Sequence, residues 1–377
     1  MARKGEYLAK KFAENDKNGP KGWDAIFRNI SARSIKRAKS LNLSCKVAYA
    51  IDNVEKNRYR DISPYDNCRI ELGPDKGYIN ASPVTVTETG QQYILCQGPL
   101  EETSADFWQM IWEQEVPTIV MLNKLIERGT LKCAPYYPDK ENNKIQFDPY
   151  TITCDSETEG EDHTVRRLTL SKEGTEESKK VVHMQYTDWP DFGVPQTPEH
   201  LLHFMRKYWE DHGRDSTAPS VVHCSAGVGR SGTFVVVDSI IRMVEAGNEK
   251  VDIEEFIVNL RDSRMGLIQT WQQLRFSWLA IISYFDEARG GPIEGLAEGA
   301  AAGDKPGSLK RDASPGSGAS NEALAKRRAM IARMVAKSRA AEAEVARPRT
   351  FLGFEPTYIY GALGVASLAA LWYATRA

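Results

Sequence analysis

The stretch Val221-Val222-His223-Cys224-Ser225-Ala226-Gly227-Val228-Gly229-Arg230-Ser231-Gly232 leads into the apolar-rich segment 233–241. Its first residues are typical of a buried strand, and the segment after it predicts a buried helix. The glycines between strand and helix allow the backbone to curl tightly, so several N–H groups point at one spot. Such a loop before a helix predicts a cradle for phosphate or another oxyanion.

Two side chains in this loop predict a reaction as well as an anion site. Cys224 lies at the lip of the cradle, and Arg230 follows it within the same loop. The N–H dipoles that hold phosphate also stabilise a thiolate, so we expect Cys224 to be ionised near neutral pH. Arg230 offers a planar fork that can grip two phosphate oxygens. A buried structural cysteine beside a tight turn, the alternative, would need neither the glycine spacing nor the arginine.

The order His-Cys, five residues, Arg, Ser-Gly resembles the signature of the cysteine-dependent protein tyrosine phosphatases. The version here is similar to the classical, phosphotyrosine-specific, non-receptor branch, and within it to the tail-anchored type 1 and T-cell kind. The resemblance covers roughly residues 5–288, so we predict a catalytic domain over 1–288. It implies an α/β fold: a large, twisted mixed sheet with helices on both faces, the catalytic loop joining a central strand to a helix.

The resemblance assigns roles within the loop. Cys224 is the nucleophile, and Arg230 binds the equatorial phosphate oxygens. The Ser231 hydroxyl eases release of the thiolate. The backbone that lines the phosphate belongs to Ser225, Ala226, Gly227, Val228 and Gly229.

A second motif, Asp188-Trp189-Pro190-Asp191-Phe192-Gly193-Val194-Pro195, matches the family's closing loop. Its prolines and glycine favour a loop with defined ends, as mobile lids often have. By resemblance Asp191 is the general acid that protonates the leaving phenolate, and Phe192 contacts substrate. A turn-forming aspartate is the alternative, which Asp188 fits better.

The polar loop Asn57–Asp66 resembles the wall of the family's cleft. Tyr59 would stack on the substrate ring and set the cleft depth, so that phosphotyrosine reaches the thiolate and phosphoserine does not. Asp61 would accept hydrogen bonds from the substrate backbone, and Arg60 would favour acidic residues beside the phosphotyrosine. An ordinary half-buried aromatic is the alternative for Tyr59.

Further residues carry roles by resemblance alone. Glu127 would pair with Arg230 and orient it, although a surface ion pair is the alternative on sequence grounds. Gln269 would place the hydrolytic water with support from Gln273, and Lys132 would contact substrate. Some relatives build a second phosphotyrosine pocket from two arginines; Arg261 matches one, and the other position falls at Ser31. Whether Arg33 replaces it stays open.

Composition excludes several other classes. The net charge of −2 over 377 residues argues against nucleic-acid binding as the main activity. The six cysteines are scattered without a CxxC pair, which argues against a zinc site or a disulfide framework and for a reducing compartment. The scheme needs no cofactor and no metal, so EDTA should leave activity intact. An exposed thiolate should also be reversibly oxidised by peroxide.

Periodicity predicts two helices within 6–39, a helix at Asp106–Trp112, a strand at Thr118–Leu122, antiparallel strands over 144–186 and a helical region over 252–288. The Gly19-Pro20 pair should separate the first two helices.

The C-terminal region differs in composition from the predicted catalytic domain. Residues 289–320 are rich in Gly, Ala, Ser and Pro and predict a flexible linker. Residues 321–350 predict a basic amphipathic helix that lies against anionic lipid, or a solvated spacer helix. Residues 357–375 include an uncharged run bounded by aromatics and predict a transmembrane tail anchor. The short span favours the endoplasmic reticulum membrane, cytosolic face, over the outer mitochondrial membrane.

The sequence therefore predicts a membrane-tethered phosphatase that acts on phosphotyrosine proteins, such as kinases and their substrates. Two alternatives remain: a catalytically weak phosphotyrosine-binding scaffold, and a dual-specificity or lipid phosphatase. Asp191 and Gln269 together argue against the first, and the Tyr59 loop argues against the second.

Overall fold

The computed structural model describes residues 4–190 and 193–291 of the chain. The strands are β1 Glu71–Leu72, β2 Gly77–Tyr78, β3 Ala81–Val86, β4 Gln91–Cys96, β5 Thr118–Met121, β6 Ile126–Glu127, β7 Thr130–Leu131, β8 Lys144–Phe147, β9 Tyr150–Glu159, β10 His163–Lys172, β11 Ser178–Tyr186 and β12 Ser220–His223. The helices are α1 Glu6–Asp16, α2 Gly19–Ser40, α3 Ser104–Glu113, α4 Glu199–His212, α5 Gly229–Glu245, α6 Ile253–Leu260 and α7 Trp271–Arg289, with a 3-10 helix at Val54–Lys56.

Eight strands form one mixed sheet in the order β3-β4-β12-β5-β11-β10-β9-β8. The neighbours β4, β12, β5 and β11 are parallel, and the pairs toward both edges are antiparallel. Strand β12 lies between β4 and β5, so the strand that precedes Cys224 is an interior one, as predicted. Parallel strands need crossovers; α3 lies in the one between β4 and β5 and α4 in the one between β11 and β12, whereas β5 and β11 are joined through strands β6 to β10.

Helices cover both faces of this sheet. Val221 and Val222 are consecutive in β12, so their side chains point to opposite faces. Val222 packs in the larger core with α5 and α7, whereas Val221 packs in a second core with Phe107 and Trp108 of α3. The mixed α/β architecture with two covered faces confirms the predicted fold class.

Most predicted elements are present, with two corrections. Gly19 and Pro20 do not separate α1 from α2; they form the first turn of α2, where proline's missing N–H costs nothing. The predicted helical region 252–288 is also interrupted, because α6 ends at Leu260 and α7 begins at Trp271.

The interruption combines two positive φ angles with a hydrogen bond to a distant loop. Gly266 and Ile268 both have positive φ angles, of 69° and 63°, which a right-handed helix excludes. The Ile268 N–H donates to the carbonyl of Val228 at 3.1 Å instead of to its own segment. Thr270 then caps α7 by accepting the Gln273 N–H. The break therefore holds residues 266–270 against the Cys224 loop.

Within the described part of the chain, no helix combines the length and apolar character needed to cross a bilayer. Helix α7 ends at Arg289, with Gly290 in the left-handed conformation beyond it, close to the predicted domain end at 288. The predicted basic helix 321–350 and anchor 357–375, and all but the first residues of the predicted linker, lie outside the described residues.

Candidate active site

Cys224 lies at the start of the loop between β12 and α5. The Gly227 N–H points back at its sulfur, with N and Sγ 3.3 Å apart. Only 5% of Cys224 is exposed, so it lies deeper than the lip position that the sequence predicted. Helix α5 already begins at Gly229, and its first-turn N–H groups have no helical partner. The loop thus turns the Gly227 N–H toward the sulfur and leads directly into the N-terminus of α5.

Gly227 is required by geometry, not only by flexibility. Its φ angle is 69°, and a Cβ atom there would lie 1.9 Å from the carbonyl oxygen of Cys96. Ser225 extends the same contact, since its carbonyl accepts the Gly98 N–H at 3.0 Å. The catalytic loop therefore presses against the end of β4, and any side chain at position 227 would push it away.

Arg264 supports the loop from beneath. Its guanidinium is fully buried and donates to the carbonyls of Gly227 at 2.8 Å and Ala226 at 3.1 Å. The same guanidinium also donates to the side-chain oxygens of Ser82, in β3, and Asn80, immediately before β3. Because Arg264 binds the carbonyls of Ala226 and Gly227 on one side of the loop, the N–H groups of the loop can face the opposite side, where Cys224 lies. Sequence reasoning gave Arg264 no role, because nothing local links it to the loop.

Arg230 is held by a buried carboxylate, as the resemblance implied. Its Nη1 and Nη2 donate to the two oxygens of Glu127 at 2.6 and 2.9 Å, and Nη1 also donates to the Leu122 carbonyl at 3.0 Å. The side chains are 15% and 6% exposed, so the alternative of a surface ion pair is excluded. The Lys124 N–H donates to the same carboxylate, which satisfies it further. Two-point contact fixes the guanidinium plane.

Gln269 and Gln273 lie over the start of α5. A Cβ atom at Gly229 would lie 2.6 Å from the Gln269 side-chain oxygen and 2.9 Å from the Gln273 side-chain nitrogen. The Gln273 oxygen accepts the Gln269 N–H at 2.8 Å, which orders the pair. The two glutamines predicted to handle water therefore do reach the catalytic loop.

The Tyr59 loop is tied to the catalytic loop through Ser225. The Ser225 hydroxyl donates to the Lys132 carbonyl at 3.0 Å, so the Tyr59 hydroxyl must donate to Ser225 Oγ, 2.9 Å away. Tyr59 and Lys132 are half-buried, whereas Arg60 and Asp61 are exposed. The last two thus face solvent, where a peptide could reach them.

A buried hydrogen-bond chain ends on Cys224. His223 Nδ1 donates to the Cys224 carbonyl at 3.2 Å, so its Nε2 accepts the Tyr136 proton at 2.7 Å. Tyr136 then accepts from His183 Nε2 at 2.9 Å, which leaves His183 Nδ1 to accept from Arg166 at 3.4 Å. Burial lowers the pKa of His223 to about 4 and that of His183 well below its usual value, so both rings are neutral.

Each group in that chain has one orientation, because Tyr136 carries a single proton between two imidazoles. Sequence reasoning missed Tyr136 and His183, and no spacing pattern could have revealed them.

Three predicted residues stand apart. Ser231 is buried, and its hydroxyl has no hydrogen-bond partner among the described residues. Asp191 and Phe192 lie outside the described residues. The flanking residues are described: the Trp189 indole N–H donates to the Gly193 carbonyl at 3.2 Å. The Trp189 ring lies 5.7 Å from the guanidinium carbon of Arg230.

The two arginines considered for a second phosphotyrosine pocket, Arg261 and Arg33, have different partners. Arg261 donates to the carbonyls of Leu267 and Ile268 and lies 3.3 Å from Ser31 Oγ. Arg33 instead pairs with Glu255 on α6. Arg33 is thus held by a partly exposed ion pair, and whether it contributes to a second pocket stays open.

Comparison with known proteins gives a consistent assignment. A family model described as protein-tyrosine phosphatase matches residues 53–283. The mouse tyrosine-protein phosphatase non-receptor type 2 is 42% identical over 268 residues, covering 69% of this chain and 63% of the relative. The Drosophila melanogaster non-receptor type 61F protein is 39% identical over 278 residues, covering 72% of this chain and 50% of that protein. The chain thus spans less than two thirds of the length of these relatives.

Proposed function

Because the chain belongs to the protein-tyrosine phosphatase family, as a classical non-receptor-type domain, we propose that it hydrolyses phosphotyrosine in proteins. The observation that carries the proposal is one arrangement: a sulfur facing a backbone N–H, beside an arginine locked by a buried carboxylate. A structural cysteine needs neither partner.

In the first step, the Cys224 thiolate attacks phosphorus in line with the tyrosyl oxygen. Arg230 and the loop N–H groups hold the three equatorial oxygens as charge redistributes. Asp191 donates its proton to the departing phenolate as the P–O bond breaks. The products are a cysteinyl-phosphate and free tyrosine in the protein substrate.

In the second step, Gln269 positions a water molecule with support from Gln273, and the Asp191 carboxylate accepts a water proton. The water oxygen bonds to phosphorus while the P–S bond breaks, releasing inorganic phosphate. The Ser231 hydroxyl, unpaired among the described residues, is available to donate to the departing thiolate. Positive charge comes from Arg230 and the loop dipoles, so this scheme requires no metal.

The preference for tyrosine rests on Tyr59. Its link to Ser225 sets the wall beside a cysteine that is only 5% exposed. Reaching such a buried sulfur requires a long side chain, which favours phosphotyrosine over phosphoserine or phosphothreonine.

Paired peptides test the activity and its specificity together. We expect rapid phosphate release from a phosphotyrosine peptide, much slower release from the matched phosphothreonine peptide, and loss of both with Cys224→Ser. EDTA should change none of these rates, and peroxide should inactivate the enzyme until a thiol reductant is added. Equal rates on the two peptides would point to a dual-specificity enzyme, and binding without turnover to a scaffold.

We further propose that residues 357–375 anchor the chain in the endoplasmic reticulum membrane, with the catalytic domain facing the cytosol and acting on signalling phosphoproteins. Support comes from the sequence: an uncharged run with aromatics at both ends, after a basic segment. Imaging a fluorescent fusion of residues 320–377 tests it. A reticular pattern is expected, a mitochondrial rim would transfer the anchor to the outer mitochondrial membrane, and a diffuse signal would exclude an anchor.

A further inference from the structure

A cluster unrelated to the catalytic scheme joins the turn between β9 and β10 to helix α4. The Asp162 carboxylate contacts two imidazoles: one oxygen meets His163 Nδ1, and the other lies 3.0 Å from His203 Nδ1. The three potential ligand atoms lie within 4.8 Å of one another. It is the one such group of three or more metal-ligating side chains within residues 4–190 and 193–291.

The Asp162 carboxylate is buried beside two imidazoles and has no lysine or arginine partner among the described residues. The residue is 1% exposed. A buried carboxylate is costly unless it is paired with positive charge. A divalent cation among the three side chains would supply both the charge and the coordination.

We propose that Asp162, His163 and His203 bind one divalent transition-metal ion, with Zn²⁺ the best match. Two imidazole nitrogens and one carboxylate oxygen form the ligand set of open zinc sites, in which water takes the fourth position. Ca²⁺ and Mg²⁺ prefer all-oxygen sites and fit this donor set poorly. The three side chains must move slightly apart on binding, because Zn–N and Zn–O bonds of about 2.0–2.2 Å would separate their ligand atoms somewhat further.

Access and attachment agree with this assignment. The His203 side chain is 62% exposed, so an ion can enter from solvent without unfolding the turn. The Asp162 carbonyl accepts the Thr187 N–H at 2.8 Å, directly after β11. The bound ion would therefore tie together the β9–β10 turn, the end of β11 and α4. The site uses neither Cys224 nor Arg230, so it is independent of the proposed phosphatase activity.

Calorimetric titration with Zn²⁺ tests the site. The titrated protein is the full chain without an affinity tag, with the substitution Cys224→Ser to remove a competing thiolate ligand. We expect one Zn²⁺ per chain, and binding weakened at least about tenfold by adding His203→Asn. The matched control is His200→Asn, an exposed histidine on the same helix that bonds Asp188, and it should leave the affinity unchanged.

Two further readouts separate the site from other metal ligands. Co²⁺ should give visible d–d bands without a thiolate charge-transfer band, since no sulfur is among the ligands. Zn²⁺ at a hundredfold excess over the parent Kd should raise Tm by roughly 5 °C in the parent and the His200→Asn variant, and by at most about half as much in His203→Asn. Equal binding by the His203→Asn variant, a thiolate band, or no binding by the parent would overturn the assignment.

Discussion

Replacing Tyr136 with phenylalanine removes one oxygen from the buried chain that ends on Cys224. The phenylalanine ring keeps the shape, so no large cavity forms. His223 Nε2 then loses the donor 2.7 Å away, and His183 Nε2 loses the acceptor 2.9 Å away. Both groups stay fully buried, so water cannot replace the hydroxyl without rearrangement.

The magnitude follows from these two orphaned groups. A buried polar group left without its partner costs about 1–3 kcal/mol. One donor and one acceptor are orphaned, so Tyr136→Phe should lower the free energy of unfolding by roughly 2–6 kcal/mol.

Tyr137 provides the matched control. It is adjacent in sequence and half-buried, and its hydroxyl makes one longer bond of 3.3 Å to Gln185. Tyr137→Phe should therefore cost only about 0.5–1 kcal/mol. Urea unfolding followed by tryptophan fluorescence measures both variants, with the m-value checked to be unchanged. If the two variants unfold at the same urea concentration, the oriented chain does not contribute as described.

Three further changes address other parts of the domain. Glu127→Gln removes the charge that fixes the Arg230 fork, so kcat on a phosphotyrosine peptide should fall about 10²–10³-fold with little change in KM; an unchanged kcat would contradict this. Gly227→Ala should abolish activity, because the added methyl meets a carbonyl oxygen at 1.9 Å; near-parental turnover would refute it. Burial alone would raise the pKa of Asp16, but hydrogen bonds, chiefly from Arg275, lower it overall. Asp16→Asn should thus cost about 1–2 kcal/mol at pH 7. The difference from the parent should begin to shrink near pH 4 and disappear once the pH is below the lowered pKa of the folded state; a pH-independent difference would count against the ion pair.

Several elements were predictable because their signals are local. Helices α1, α2 and α3 and strand β5 follow from apolar periodicity, and the antiparallel region follows from alternation. The predicted helix across 261–270 failed because its turn is maintained from outside: the Ile268 N–H bonds to Val228 in a distant loop. Periodicity within a segment carries no record of such a partner.

The sequence by itself determined the reactive loop of this protein. The cysteine, the glycines and the arginine of this loop lie within seven residues of one another. Because the groups that bind phosphate are neighbours along the chain, their chemistry can be inferred from the sequence. Only the tertiary structure decided which buried groups orient that loop. Glu127 meets Arg230 across 103 residues, and Arg264 meets Gly227 across 37. Such contacts depend on where the sheet and helices bring distant segments together, and burial, not sequence spacing, makes them strong.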